Sequence, residues 1–258
     1  MKGIHPTAII HPGARLADDV TVGPYSVIGE QVRIGRGTQV ASHAVIEGWT
    51  ETGEDCRVFP FATIGTIPQD LKFQGEESRI VIGHRNIIRE YVTIHRGTAG
   101  GGGITSIGND NLLMAYVHVA HDCQIGSHVI LANAATLAGH VTVQDYAVIG
   151  GLTGVHQFTK IGRYAIIGGC SAVAQDVPPF VNAAGNRVRL YGLNTVGLKR
   201  HGISEERISD LKKAYRILFR SKLTAAGAIK KVRDEFAASP DVQEMAAFIE
   251  TSERGICR

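Results

Sequence analysis

The stretch Thr21-Val22-Gly23-Pro24-Tyr25-Ser26-Val27-Ile28-Gly29-Glu30-Gln31-Val32-Arg33-Ile34-Gly35 decides the fold. An aliphatic residue stands at every sixth position (Val22, Ile28, Ile34), and a glycine follows each one. The same phase runs back through Leu16 and Ile10 to Ile4, and forward through Val40, Ile46, Val58 and Ile64, with Thr52 as its weak member. It resumes at Ile82, Ile88 and Ile94, shifts by one across a glycine-rich stretch, and continues from Ile107 to Val173. Period six fits neither an amphipathic helix nor an alternating strand. It fits a coil of short strands, each turning one aliphatic side chain inward, with three hexapeptides closing each triangular turn. Such coils stack about 4.8 Å apart through parallel ladder hydrogen bonds. The small residue after each aliphatic is expected to permit the tight corner. A parallel β-helix is therefore expected from about Ile4 to Val181.

Two segments interrupt the repeat. Thr66–Val81, with Pro68-Gln69-Asp70-Leu71-Lys72-Phe73-Gln74-Gly75, is too polar and irregular to form wall, so it is expected to be a loop insertion over about 66–81. Gly97–Ser106, with Gly100-Gly101-Gly102-Gly103, reads as a plain flexible excursion over about 97–106. The repeat stops at Asp176-Val177-Pro178-Pro179, because proline donates nothing to a ladder. Beyond it, Ser204 followed by Glu205 and Glu206 caps a helix running to about Arg220. Thr224 opens another to about Ala237, and Ser239-Pro240 a third. The stripe Ile208, Leu211, Tyr215 and Leu218 marks a buried face. The expected organisation is a mainly β chain: a β-helix over residues 1–182, then a C-terminal α-helical domain over 183–258 that hides the open sheet edge.

The composition suits this reading. Apolar residues make up 44% of the 258 positions but aromatics only 6%, so the core is aliphatic. No apolar run is long enough for a membrane span. Met1-Lys2-Gly3 leads straight into patterned sequence, with no signal segment expected. Cys56, Cys123, Cys170 and Cys257 show no zinc spacing and read as buried free thiols of a reducing cytoplasm. From Asn182 onward 15 Lys and Arg face 9 Asp and Glu, a net charge of +6, which leaves about −3 for the remainder. That basic segment is either an ordinary solvated helical face or a surface for an acidic partner.

Stacking of every third hexapeptide places chemistry. The hexapeptides at Val119, Leu137 and Val155 lie on one side, one above another. They bring together His118, His121, Asp122, Gly139, His140, His156 and Gln157. Single histidines such as His43 or His128 read as surface residues; four in register read as a site. His121 is the expected general base, Asp122 its orienting carboxylate, and the Gly139 N–H the nearby oxyanion donor. A second reading gives His118, His121 and His140 to a Zn²⁺-type ion in a hydratase of the γ carbonic anhydrase kind. A third makes the chain a non-catalytic scaffold. No nucleophilic Ser or Cys motif is present, which suits direct transfer without a covalent enzyme intermediate.

The segments Gln69-Asp70-Leu71-Lys72, Thr93-Ile94-His95-Arg96-Gly97 and His118-Val119-Ala120-His121-Asp122-Cys123 lie outside the bare repeat pattern. So do Leu137-Ala138-Gly139-His140, Val155-His156-Gln157-Phe158, Gly168-Gly169-Cys170-Ser171, Gly197-Leu198-Lys199-Arg200 and the end Arg254-Gly255-Ile256-Cys257-Arg258. On these, essentially the whole chain resembles the UDP-N-acetylglucosamine acyltransferases, which begin lipid A synthesis. The general rule for parallel crossovers favours a right-handed coil; the resemblance implies the left-handed exception. It also implies a cytoplasmic homotrimer with no cofactor, no metal and no nucleic acid. The donor would be a (R)-3-hydroxyacyl chain on the phosphopantetheine of an acidic acyl carrier protein. The acceptor would be the glucosamine 3-hydroxyl of UDP-N-acetylglucosamine. Asp70 and Lys72 would lie in the substrate loop, with His118, His140, His156 and Gln157 lining the cleft. Asn194 and Arg200 would reach the nucleotide, and Gly169 and Arg187 the acyl tail. Val196, His201 and Arg187 depart from the family's Glu, Arg and His, which leaves a 3-amino acceptor sugar open.

Overall fold

The computed structural model describes residues 3–258; the Met1-Lys2 start read above lies outside the described residues. Over the described residues the chain winds as a left-handed parallel β-helix with three sheets of nine, eight and ten strands, and four α-helices follow. Most strands are two residues long. Each contributes one outward and one inward side chain, as in Val27–Ile28 and Thr136–Leu137. A second inward position precedes each strand: Ala44 before Ile46, Ala62 before Ile64 and Ala135 before Leu137 are all fully buried. At these positions on the nine-stranded side small and large residues alternate, while on the other two sides Val20, Val32, Val129 and Val141 also fill the second position, so the narrow triangular interior is packed throughout.

The corners differ from the expectation. The glycines after the inward aliphatics do not make the turns. Non-glycine residues at positive φ do, three positions before the aliphatic, and they form three columns. The first column contains Tyr25, His43, Phe61, Tyr91, Tyr116, Leu152 and Cys170; the second contains Asp122, His140 and Phe158; the third contains His128, Tyr146 and Tyr164. The glycines serve close approach instead. A Cβ on Gly35 would lie 2.5 Å from the Gly53 carbonyl oxygen, and one on Gly108 would lie 2.6 Å from that of Gly126.

Ladder register locates the insertions. Ile46 pairs with Ile64, three hexapeptides on, but Ile64 pairs with Ile94 and Ile94 with Val119. The first detour therefore lengthens its coil by two hexapeptides. The second lengthens its coil by a hexapeptide and a single further position, which is the phase shift seen in the sequence. Both loops are shorter than expected. Thr66 is still strand, and Arg79–Ile82 pairs with Trp49–Thr52 on one side and Ile104–Ile107 on the other. Pro178-Pro179 does not end the sheet either. Val181–Ala184 adds a parallel strand beside Ile166–Ile167, and Arg189–Leu193 turns back antiparallel upon it, beyond the expected boundary at 182. The prolines are tolerated because they form a corner, seated on Gly162, rather than a ladder position.

The helices are α1 (Thr195–Arg200), α2 (Glu205–Arg220), α3 (Ala225–Glu235) and α4 (Pro240–Glu250). Ser204 and Thr224 cap α2 and α3 as their sequences require. Short α1 escaped the periodicity. Arg163 of the β-helix bonds Asp241 and Glu244 of α4, and Arg207 of α2 bonds Asp241 bidentately, locking the helices to the coil. Cys56, Cys123 and Cys257 are buried, and burial pushes the Cys123 and Cys257 thiols up to about 12. Cys170, expected to be buried, sits exposed at a corner.

Candidate active site

Local structure explains how the second corner gathers its histidines. His118 occupies the outward position of the strand His118–Val119, directly above Thr93 and below Thr136. The chain then turns at Asp122, whose φ is +59°. This turn sends the Asp122 side chain back under the His121 ring. His121 Nδ1 lies 2.8 Å from Asp122 Oδ2. Since an ionised carboxylate only accepts, Nδ1 carries the proton and Nε2 is left with a lone pair. One coil up, His140 stands at the same corner. Its ring meets His121 edge-on at 5.1 Å and stacks on Phe158 at 4.4 Å.

Gly139 abuts His121. A Cβ there would lie 2.6 Å from Cε1 and 2.7 Å from Nε2 of the imidazole, so only glycine leaves the ring its place. Among the described residues the Gly139 N–H donates no backbone hydrogen bond, while its neighbours Ala138 and His140 donate to Val155 and His121 carbonyls. A free donor beside a base is the arrangement an oxyanion requires.

The histidines packed around this pair are held neutral. Burial lowers the pKa of His118, helped by nearby His121. Its Nδ1 bonds Thr93 Oγ1 at 2.7 Å. Burial also lowers His140, with Asp122 acting in the opposite direction. His95, which the repeat arithmetic missed, packs edge-on against His118 at 5.0 Å, and burial brings its pKa to about 4. An insertion separates their coils, so the interval from His95 to His118 is not a multiple of six.

His121, Asp122 and His140 bring possible metal-ligating atoms within 4.8 Å of one another. This differs from the expected set: His118 is replaced by Asp122. The Asp122 oxygens already accept from the Thr98 N–H, the Thr98 hydroxyl and His121. A cation there would have to displace those bonds.

The other expected residues divide by corner. Asp70 is near enough to His140 to act on its charge, and Lys72 is exposed on the same loop. That loop is pinned by Arg96, whose guanidinium lies over Trp49 at 5.4 Å and Phe73 at 5.3 Å. His156 and Gln157 are exposed one coil above His140. Gly169 lies at the first corner instead, over Gly151. Asn194 belongs to the third: it accepts from the Gly197 N–H to cap α1 and donates to the Tyr164 carbonyl, so in the protomer it serves as a buried structural cap. Arg200 ends α1, and His201 packs against Tyr146 and Tyr164. Arg187 is exposed beside Arg189 and Arg258 around a cavity of about 860 Å³ at the C-terminal end. One protomer therefore does not unite Gly169, Arg187, Asn194 and Arg200 with His121.

Residues 13–48 and 104–139 match the bacterial transferase hexapeptide model, and residues 176–257 match the second domain of the UDP-N-acetylglucosamine O-acyltransferase model. The acyl-(acyl-carrier-protein)–UDP-N-acetylglucosamine O-acyltransferase of Thermodesulfovibrio yellowstonii is 58% identical over 258 residues, covering 100% of both chains. That of Syntrophobacter fumaroxidans is 50% identical over 256 residues, 99% of each. The solved structure of LpxA from Acinetobacter baumannii superposes with a TM-score of 0.97 at 46% identity, covering 99% of this chain and 100% of that one.

Proposed function

Because the chain belongs to the acyl-(acyl-carrier-protein)–UDP-N-acetylglucosamine O-acyltransferase family, we propose that it transfers a (R)-3-hydroxyacyl chain from acyl carrier protein to the glucosamine 3-hydroxyl of UDP-N-acetylglucosamine, the first step of lipid A synthesis. The observation that carries the mechanism is the His121 tautomer set by Asp122, with Nε2 free beside an unengaged Gly139 N–H.

His121 Nε2 takes the proton of the sugar hydroxyl as its oxygen attacks the thioester carbonyl. Asp122 stabilises the imidazolium that forms. The Gly139 N–H receives the tetrahedral oxyanion. Collapse breaks the carbon–sulfur bond, and the imidazolium returns its proton to the departing thiolate. The thioester arrives activated, so no further cofactor is required. His118, His140, His156 and Gln157 line the cleft, with Asp70 and Lys72 over the sugar. Neutral imidazoles at His118 and His140 donate and accept hydrogen bonds without repelling the imidazolium.

The active unit is a homotrimer in the cytoplasm. The outward row Ile87, Leu112, Ile130, Val148 and Ile166 forms an aliphatic stripe up one sheet. It adjoins the first corner, where Tyr25, Tyr116 and Leu152 are 60–69% exposed. An apolar face of this extent calls for a partner, and a second copy supplies what the protomer lacks. Asn194 and Arg200 of one subunit would serve the nucleotide over the histidines of another, and Gly169 and Arg187 the acyl tail. The basic C-terminal segment receives the acidic carrier protein.

The deciding assay supplies 3-hydroxyacyl carrier protein and UDP-N-acetylglucosamine, follows free carrier thiol and weighs the product. An ester at the expected mass is the predicted result. Absence of turnover with a panel of acyl lengths overturns the reading, and an amide formed on the 3-amino sugar alone corrects its acceptor.

A further inference from the structure

We propose that Thr98, carried by the glycine loop, is a positioning residue that holds Asp122 and through it the tautomer of His121; this rests on the general-base reading above. The loop expected to be a plain excursion is wrapped around the Asp122 carboxylate. Thr98 N–H donates to Oδ1 at 2.9 Å and the Thr98 hydroxyl donates to Oδ2 at 2.7 Å. From the other side, the Thr105 hydroxyl accepts the Asp122 backbone N–H at 2.8 Å. The Asp122 side chain is completely enclosed, and Thr98 is itself 6% exposed.

The glycines explain how the loop comes so close. A Cβ on Gly101 would lie 2.0–2.4 Å from the Asp122 carboxyl atoms, and one on Gly97 would lie 2.8 Å from Oδ1. The loop thus forms a lid that meets the carboxylate with bare backbone at Gly97 and Gly101, and the Thr98 side chain bonds it there. Glu76 braces the lid by accepting the Ala99 N–H at 3.1 Å, and its other oxygen accepts the Gln74 N–H at 2.8 Å. The loop that carries Lys72 and the loop that holds Asp122 are therefore one structure.

The geometry assigns Thr98 a specific task. Asp122 Oδ2 is shared between the Thr98 hydroxyl and His121 Nδ1. With the hydroxyl in place, the carboxylate is fixed in the plane that aims His121 Nε2 past Gly139. Without it, the carboxylate gains a rotamer and the imidazole loses its fixed orientation. Substrate contacts are untouched, so the loss falls on kcat rather than KM.

The test compares Thr98→Val, Thr98→Ser, Asp122→Asn and the Thr98→Val/Asp122→Asn pair, with His121→Ala alongside. Thr98→Val is expected to lower kcat about 10-fold with KM within about 2-fold, and Thr98→Ser to recover most of the loss. In the Asp122→Asn background Thr98→Val should add less than about 2-fold, because the two act as one unit. Wild-type kcat in Thr98→Val, no rescue by Thr98→Ser, or a full additive loss in the pair each overturns the assignment. Loss in His121→Ala with wild-type kcat in Thr98→Val removes only the role of Thr98, whereas full turnover in His121→Ala removes the general-base reading beneath it.

Discussion

Asp122 Oδ2 lies 2.8 Å from His121 Nδ1, and the two residues are adjacent in the chain. Neighbours in an extended strand point to opposite faces; here the positive φ of Asp122 at the corner brings both side chains to one side. The proposed base and its orienting group are thus products of a single turn. The first prediction follows directly. His121→Ala should lose at least about 100-fold in kcat while melting near the wild-type temperature, and Asp122→Asn should fall between the two. Initial rates of carrier thiol release with a thermal melt decide it.

Gly139→Ala tests the space beside the base. The new methyl would lie 2.6 Å from His121 Cε1. The ring must move, so kcat should drop by about 10-fold or more. Gly154→Ala, where a Cβ meets nothing within 4 Å, is the matched control and should stay near wild type.

Acid should expose the buried His95. Its folded pKa is about 4, below the ordinary 6.5. The unfolded chain therefore binds the extra proton between those values. Its contribution is fully present above about pH 6.5 and is lost as pH falls toward 4, by roughly 2–3 kcal/mol. Urea unfolding from pH 4 to 7 should show this slope in the wild type and a shallower one in His95→Asn.

The Arg96 clamp should govern substrate affinity. Its guanidinium packs on the rings of both Trp49 and Phe73 and so holds the loop that carries Asp70 and Lys72. Arg96→Ala and Phe73→Ala should each raise the KM for the sugar nucleotide, by about 5-fold or more, with a smaller change in kcat. Arg96→Lys should restore only part, because an ammonium lacks the flat face that packs on the rings.

The proposed trimer is open to test at its apolar face. Ile130→Lys and Val148→Lys place charges on the aliphatic row and should convert the assembly to smaller species with loss of turnover. Light scattering with activity on the separated fractions measures both. Stoichiometric metal content, or turnover abolished by chelators and restored by Zn²⁺, would instead revive the hydratase reading of the His121, Asp122 and His140 group.

What the sequence determined by itself was the repeat and everything that follows from strict period. Val119, Leu137 and Val155 fall three hexapeptides apart, and ladder bonds stack them as that interval demands. The period alone therefore brings His121, Gly139 and His140 together. The helix starts at Ser204 and Thr224 were equally legible, because a cap is local chemistry. Contact across a break in the period emerges only in the folded chain. His95 reaches His118, and Thr98 reaches Asp122, over insertions whose lengths obey no repeat. The glycines of residues 97–103 looked like slack in the sequence; in the structure two of them, Gly97 and Gly101, lie so close to the buried carboxylate that a Cβ would collide with it. A periodic pattern records the wall, where each residue answers to the one a coil away. A loop answers to whatever it folds against, and that partner is known only once the chain has closed.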